Sequence, residues 1–108
     1  MNLRPVEFHI LLALAADERH GYALLQEVAS LTDGEIQLEP GTLYRALHRM
    51  LKNGWVAESA RRPAADQDDE RRRYYRLTPL GRRIASTEAE RLCRLVTIAR
   101  AHRLLSRA

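Results

Sequence analysis

The sequence predicts a mainly α-helical fold with a small two-stranded β-hairpin after its third helix and one long helix at its end. Three observations support this fold class. Apolar residues recur at helical spacing in three segments before residue 54, two short extended segments follow, and an unbroken helical segment closes the chain. With 108 residues, of which 45% are hydrophobic, the chain has the length and apolar content of a single domain.

Composition excludes several classes of protein. The longest apolar run, Ile10 to Ala16, has seven residues, whereas a membrane span needs roughly 18. Polar residues and a proline interrupt the start of the chain, so we expect no secretory leader, a cytoplasmic location and no membrane partner. Cys93 is the single cysteine, and the four histidines lack the spacing of metal ligands. We therefore expect no disulfide, no metal and no cofactor.

The first two helices are predicted from their apolar residues and from their ends. The segment Pro5 to Ala16 is apolar on almost every side, which indicates a buried helix, and Pro5 suits a first helical turn. The polar cluster Asp17 to Gly21 is predicted to be the loop that ends this helix. A second helix then carries apolar residues at helical spacing and stops at Asp33-Gly34.

The third helix, predicted from Pro40 to a stop at Asn53-Gly54, has an asymmetric distribution of charge. One face is apolar and is predicted to face the core. On the opposite face, polar residues at i, i+3, i+7 and i+10 form a single basic stripe. The basic stripe consists of Thr42, Arg45, Arg49 and Lys52, with Tyr44 and His48 on its flank. Residues 41–54 contain no acid and the net charge is +4, which together indicate a polyanionic partner.

A β-hairpin is predicted after the third helix, from two extended segments, Trp55 to Ala60 and Arg73 to Thr78, around a polar loop. Alternation along the second segment directs Tyr75 inward, and we predict that Tyr75 and Trp55 pack in the core. The loop carries a cluster of acids at its tip. Because acids repel phosphate, we expect the tip to lie away from a nucleic acid.

A last helix is predicted from Pro79, after the cap residue Thr78, to about Leu105. At ~1.5 Å per residue it would be a rod of roughly 40 Å, too long for the preceding body to cover. Its apolar residues cluster toward the C-terminal half, and packing against a second copy of the chain explains such a stripe. The predicted dimer interface consists of Leu92, Leu95, Val96, Ala99 and His102.

Three helices, a two-stranded wing and a final helix follow the order of a winged helix-turn-helix domain, whose third helix enters the major groove of double-stranded DNA. Residues 1–78 would then form the DNA-binding domain and residues 79–108 a dimerisation helix. Thr42, Arg45 and Arg49 are predicted to reach base edges, since arginine can bind guanine through two hydrogen bonds. The predicted phosphate contacts on the third helix are Tyr44, His48 and Lys52. The predicted wing contacts to the backbone or minor groove are Arg61, Arg62, Arg71, Arg72 and Arg73.

Several short stretches together resemble one family. They are His20-Gly21-Tyr22, Pro40-Gly41-Thr42-Leu43-Tyr44, Gly54-Trp55-Val56, Arg73-Tyr74-Tyr75-Arg76-Leu77-Thr78 and Gly81. The chain resembles PadR-type transcriptional regulators of the short subclass, from about Leu3 to about Leu105. The resemblance implies a bacterial homodimer that binds a palindromic operator, usually represses, and is often released by a small-molecule effector or a stress signal.

Some features keep two interpretations. Tyr22, at the start of the second helix, could hydrogen-bond a phosphate or simply pack. Cys93 is expected to be a small apolar side chain, with a redox pair across a dimer as the minor alternative. The alternative function is a winged-helix adaptor that binds an acidic protein surface without reading a DNA sequence. An enzyme is not predicted, because the sequence has neither a glycine-rich phosphate loop nor a pocketed pair of acids.

Overall fold

The computed structural model describes residues 3–60 and 73–105, which contain four helices and three short strands. The helices are α1 (Pro5–Ala16), α2 (Gly21–Leu31), α3 (Pro40–Lys52) and α4 (Pro79–Ala101). The strands are β1 (Arg19–His20), β2 (Val56–Glu58) and β3 (Tyr74–Leu77).

Prolines mark the starts of α1 and α3, and left-handed residues follow the ends of α2 and α3. Pro5 and Pro40 occupy first turns, where a missing N–H costs no hydrogen bond. After α2, Asp33 (φ 51°) and Gly34 (φ 80°) are left-handed, and the Gly34 N–H donates back to the last turn at 2.7 Å. Gly54 (φ 77°) follows α3 in the same way. The predicted stops after α2 and α3 are therefore confirmed.

The sheet has one strand more than the predicted two-stranded hairpin. β2 and β3 pair antiparallel, with Ala57 opposite Arg76. β1 pairs with the other edge of β3, which gives the strand order β1-β3-β2. The prediction of a loop over Asp17 to Gly21 was therefore wrong at Arg19–His20. A strand of two residues is too short for an alternating pattern, so its pairing with β3 defines it rather than its own sequence.

The core lies between α1, α2, α3 and the inner face of the sheet. Its principal buried side chains are Ile10, Leu11, Leu14, Leu24, Val28, Leu43, Leu47, Met50, Trp55, Val56 and Tyr75. The predicted burial of Trp55 and Tyr75 is thus confirmed. Leu12 departs from the prediction of a fully buried first helix, because 40% of it is exposed.

α4 is anchored to the body at its start and projects from it further along. Thr78 caps the helix as predicted, since its Oγ1 accepts the Gly81 N–H at 3.0 Å. Leu80 and Ile84 pack against the core, whereas most residues after Thr87 are exposed. With 23 residues, α4 is about 35 Å long, and the molecule measures 53 × 27 × 22 Å.

The end of α4 falls before its predicted position near Leu105. The helix ends at Ala101 because Arg103 is left-handed (φ 62°) and the Leu104 N–H turns back to the Ala99 carbonyl at 2.9 Å. No glycine marks this stop in the sequence. None of the four helices within the described ranges has the length and apolar character that a membrane span needs.

Candidate nucleic-acid interface

The side of α3 that faces away from the core is basic and exposed. Arg45, His48 and Lys52 are exposed on this side, whereas the leucines on the opposite side are buried. Arg45 Nη2 donates to Thr42 Oγ1 at 3.3 Å, so the structure brings these two predicted base contacts together. The basic residues of the last turn also lie where the helix dipole favours positive charge.

Two tyrosine side chains, Tyr22 of α2 and Tyr44 of α3, lie beside this surface near the start of α2. The Tyr44 phenol packs against Gly21, where an added Cβ would overlap the ring's Oη and Cζ atoms. Gly21 therefore permits a close approach of α3 to α2. Tyr44 remains 49% exposed, and the neighbouring Tyr22 is 61% exposed rather than packed into the core. The predicted phosphate contact Tyr44, from α3, and Tyr22, for which packing was the alternative, are thus both exposed near the N-terminus of α2.

Arg49 does not lie on the free outward face that the sequence predicted for it. Its Nη1 is 2.5 Å from Oε2 of Glu7, and its Cζ is 5.6 Å from the centroid of the Trp55 ring. Residues 41–54 contain no acid, as the sequence shows, but Glu7 of α1, 42 residues earlier, brings a carboxylate to the basic stripe. Spacing within α3 carries no information about a carboxylate that another helix contributes.

The hairpin places one of the predicted wing arginines in the described part of the chain. Arg73 is exposed, and its Nη1 donates to Oε1 of Glu58 on the neighbouring strand at 2.8 Å. This hydrogen bond and the charge of Glu58 raise the pKa of Arg73 above its ordinary value. The carboxylate also offsets part of the charge that Arg73 could present to a phosphate. Outside the described residues lie Arg61, Arg62, Arg71, Arg72 and the acidic tip.

Tyr75 forms part of a cleft between α3 and the hairpin. The cleft has a volume of about 330 Å³, and Tyr44, His48 and Arg73 are among its other lining residues. Burial raises the pKa of the Tyr75 phenol, and the nearby Tyr44 and Glu58 add to the effect. Tyr75 is buried and acts as a packing residue at the base of the hairpin.

The C-terminal half of α4 has an exposed apolar face. Leu95 is 49% exposed and Val96 is 41% exposed, while Leu92 and Ala99 on the same face are partly buried. His102 is exposed at the end of the helix. A further apolar residue, Ile98, is 54% exposed and was not among the predicted interface residues. Its apolar character was visible in the sequence, but its exposure was not.

Within the described ranges, no group of three or more His, Cys, Asp or Glu side chains is placed to hold a metal ion. Cys93 is exposed on α4. The chemistry of the surface therefore comes from arginine, lysine, tyrosine and hydroxyl groups on α3 and α2, which are residues suited to phosphates and base edges.

These features define a class of protein. Three helices, of which the third has an outward basic side, form a winged helix-turn-helix domain together with a small antiparallel sheet. A projecting helix with an exposed apolar face follows this domain.

Comparison with known proteins identifies the family within this class. A sequence profile described as the "Transcriptional regulator PadR-like family" matches residues 10–87. Transcriptional regulator Rv3488 of Mycobacterium tuberculosis is 41% identical over 86 residues, which cover 80% of this chain and 73% of the relative. The chain belongs to the PadR-like family of DNA-binding transcriptional regulators, and it is not an enzyme. The resemblance inferred from its short motifs is confirmed.

Two solved structures show the same fold. A transcriptional regulator from Clostridium thermocellum is 26% identical with a TM-score of 0.72, over 89% of this chain and 87% of that one. A PadR family transcription regulator from Clostridium difficile is 22% identical with a TM-score of 0.76, over 90% of this chain and 96% of that one.

Proposed function

We propose that this regulator is a homodimeric repressor that binds a two-fold symmetric operator. The proposal is carried by two exposed surfaces on one chain, the basic side of α3 and the apolar face of α4. A basic surface fits the phosphate backbone, and an apolar face on a projecting helix fits a second copy. Two joined copies would present two α3 helices to half-sites about one turn, ~34 Å, apart. Such a function fits a cytoplasmic location.

The exposed residues of each copy divide into two kinds of contact. Arg45 is assigned to a base edge, with the Thr42 hydroxyl beside it as a second group in reach of the groove. Phosphate contacts are assigned to Tyr22, Tyr44, His48 and Lys52. Arg73 would approach the backbone from the hairpin, with part of its charge offset by the Glu58 carboxylate. The arginines beyond the described residues, Arg71 and Arg72, extend this assignment to the wing.

Sequence preference and salt dependence test the DNA-binding function. The purified chain is used to select fragments from bacterial genomic DNA, and its affinity for a selected operator is compared with that for random duplex. If a dimer neutralises roughly 6 to 10 phosphates, the affinity falls by about 10³ to 10⁵ between 50 and 200 mM salt. A flat salt response, or equal affinity for both duplexes, would instead support the adaptor that binds an acidic protein surface.

Transcription in vitro tests the direction of the regulation. A promoter that contains the selected operator is expected to produce less transcript as the protein is added, because a dimer on the site excludes polymerase. A promoter with a scrambled operator is the control and should not respond. More transcript from the operator-bearing promoter would identify an activator.

Release by an effector is the last part of the proposal. By linkage, a small molecule that lowers operator affinity must bind the free geometry of the dimer more tightly than the operator-bound geometry. Candidate molecules are titrated against the operator complex at fixed salt. If none changes the affinity, regulation would depend on the amount of protein instead.

A further inference from the structure

Glu7 is a buried carboxylate with partners in two parts of the molecule. Only 1% of it is exposed. Its Oε1 accepts the Arg4 backbone N–H at 2.8 Å at the start of α1, and its Oε2 accepts from Arg49 Nη1 at 2.5 Å. A buried carboxylate is stable only when it has a counter-charge and hydrogen bonds. Arg49 supplies the counter-charge and thereby joins α3 to α1.

Arg49 also lies against the residue that precedes the first strand of the hairpin. The distance of 5.6 Å from its Cζ to the Trp55 ring centroid is within the range of a cation–π contact. Trp55 is only 4% exposed, and its backbone N–H donates to the Met50 carbonyl at 2.9 Å. The ring is therefore fixed to the end of α3, and Arg49 is held between a carboxylate and an aromatic face.

The backbone of Trp55 extends these contacts to α4. Its carbonyl oxygen accepts the Thr78 N–H at 3.2 Å and the Thr78 hydroxyl at 3.0 Å. An added Cβ at Gly81 would overlap the same carbonyl oxygen, so the first turn of α4 touches this backbone directly. α1, α3, the hairpin and α4 therefore meet at one place, the four-element junction, formed by Glu7, Arg49, Trp55, Thr78 and Gly81.

We infer that Arg49 is a positioning residue for DNA recognition, and that the four-element junction sets the angle between α3 and α4. The inference rests on the proposed function: if α4 joins two copies, its direction relative to α3 determines the spacing of the two recognition helices. To bring Nη1 to a base, Arg49 would have to leave Glu7. The cost of stranding a buried carboxylate exceeds the gain from a single base contact.

The principal test compares a single substitution with a paired one in the full chain. Arg49→Met strands Glu7 and is expected to lower the ratio of operator to random-duplex affinity by about tenfold or more. The paired variant Glu7→Leu/Arg49→Met exchanges the ion pair for apolar side chains, a replacement that buried pairs often tolerate. It should return the ratio to within about threefold of the wild type, with the same preference at every base pair.

The outcomes separate this inference from the proposed function. A paired variant that has lost preference at one base pair in each half-site would show that Arg49 reads that base, and it would overturn the inference alone. Wild-type protein without any operator preference would contradict the proposed function, and the inference with it. Operators with half-sites one base pair closer or further apart add a second criterion. The wild type should bind these altered operators more weakly than the selected operator, and Arg49→Lys should reduce this loss of affinity. An unchanged loss of affinity would count against a positioning role.

A fluorescence measurement without DNA tests the inference even where a variant folds too poorly to bind the operator. Trp55 is the only tryptophan in the chain, so its emission reports on the junction. Arg49→Lys keeps the charge but loses the planar guanidinium, and it should shift the emission of Trp55. Arg83→Lys, at an exposed position on α4, is the matched control and should leave emission and operator preference unchanged. An identical spectrum for Arg49→Lys and the wild type would overturn the inference.

Discussion

Arg45 and Arg49 lie one helical turn apart in α3, but their surroundings differ. Arg45 is exposed and donates to the Thr42 hydroxyl, so it can turn toward a base without stranding a buried charge. Arg49 is paired with a carboxylate that is 1% exposed. These surroundings are the basis on which we propose a recognition role for Arg45 and a positioning role for Arg49.

Replacing Arg45 tests its assignment as a base contact. Arg45→Ala is expected to weaken operator binding by ~1–3 kcal/mol and to relax preference at one position in each half-site. Lys52→Ala, an exposed cation on the same helix, is the matched comparison. It should weaken operator and random duplex alike and reduce the salt slope by about 1. The two affinities are measured by fluorescence anisotropy, and equal losses from Arg45→Ala would make Arg45 a phosphate contact.

The raised pKa of Tyr75 predicts a dependence of stability on pH. Burial keeps the phenol neutral in the folded chain, while in the unfolded chain it ionises near its usual pKa of about 10. The stabilisation is therefore complete below that pH and is lost as the pH rises through the folded-state value. Urea unfolding from pH 8 to 11 should show a steeper loss of stability for the wild type than for Tyr75→Phe. Parallel curves would mean that the phenol ionises equally in both states.

The sequence predicts the surroundings of a side chain when they depend on neighbouring residues in the sequence. Trp55 and Tyr75 could be assigned to the core because large aromatic side chains in short alternating strands fit an inward position. The ion pair of Arg49 could not be predicted, since its partner Glu7 lies in another helix and the spacing of Arg49 matches the basic stripe. Arg45, one turn earlier in the same helix, gives the same local signal as Arg49.

Helices α3 and α4 each have a glycine in the first turn, and the surroundings of the two glycines predict opposite effects of alanine. At Gly81 an added Cβ would overlap the Trp55 carbonyl, so Gly81→Ala should destabilise the fold by ~1–3 kcal/mol or more. At Gly41 the nearest atom is the flexible end of Arg45 at 3.3 Å. Gly41→Ala should be neutral or stabilise by up to about 1 kcal/mol. Thermal unfolding measures both, and a tolerated Gly81→Ala would show that α4 can move away from the hairpin.

Element boundaries were predictable where a proline or glycine marks them. The starts at Pro5, Pro40 and Pro79, and the stops near Gly34 and Gly54, follow from residues whose backbone preferences are strong. β1 carries no such mark, because it is two residues long and exists through its pairing with β3. The end of α4 depends on a left-handed arginine, which the sequence gives no reason to expect.

The shape of the whole molecule follows from the mismatch between a small body and a long helix. The helix that extends from the body exposes Leu95, Val96 and Ile98, three large apolar side chains. The sequence could predict an apolar stripe on such a helix, because it shows where the apolar residues are. It could not predict the direction of α4, since that direction depends on contacts between separate elements, among them those of Trp55 with Thr78 and Gly81 and the packing of Leu80 and Ile84 on the core.

A charge placed in the apolar face of α4 tests whether this helix joins two copies. Leu95→Asp would put a carboxylate where the proposed dimer buries a leucine, and an unpaired buried charge is strongly unfavourable. Sedimentation should then show a monomer. Operator affinity should fall by about 10² or more, because two half-sites would no longer be bound by one linked molecule.

The matched control is Thr97→Asp, which places the same charge at an exposed position on the opposite side of α4. It should leave both the dimer and the operator affinity intact, so that any effect of Leu95→Asp is due to the face and not to the added charge. Isolated single half-sites complete the experiment. The Leu95→Asp protein and the wild type should bind them with similar affinity, because α3 is unchanged. A Leu95→Asp protein that sediments as a dimer would remove Leu95 from the interface and place the association of the two copies elsewhere on the chain.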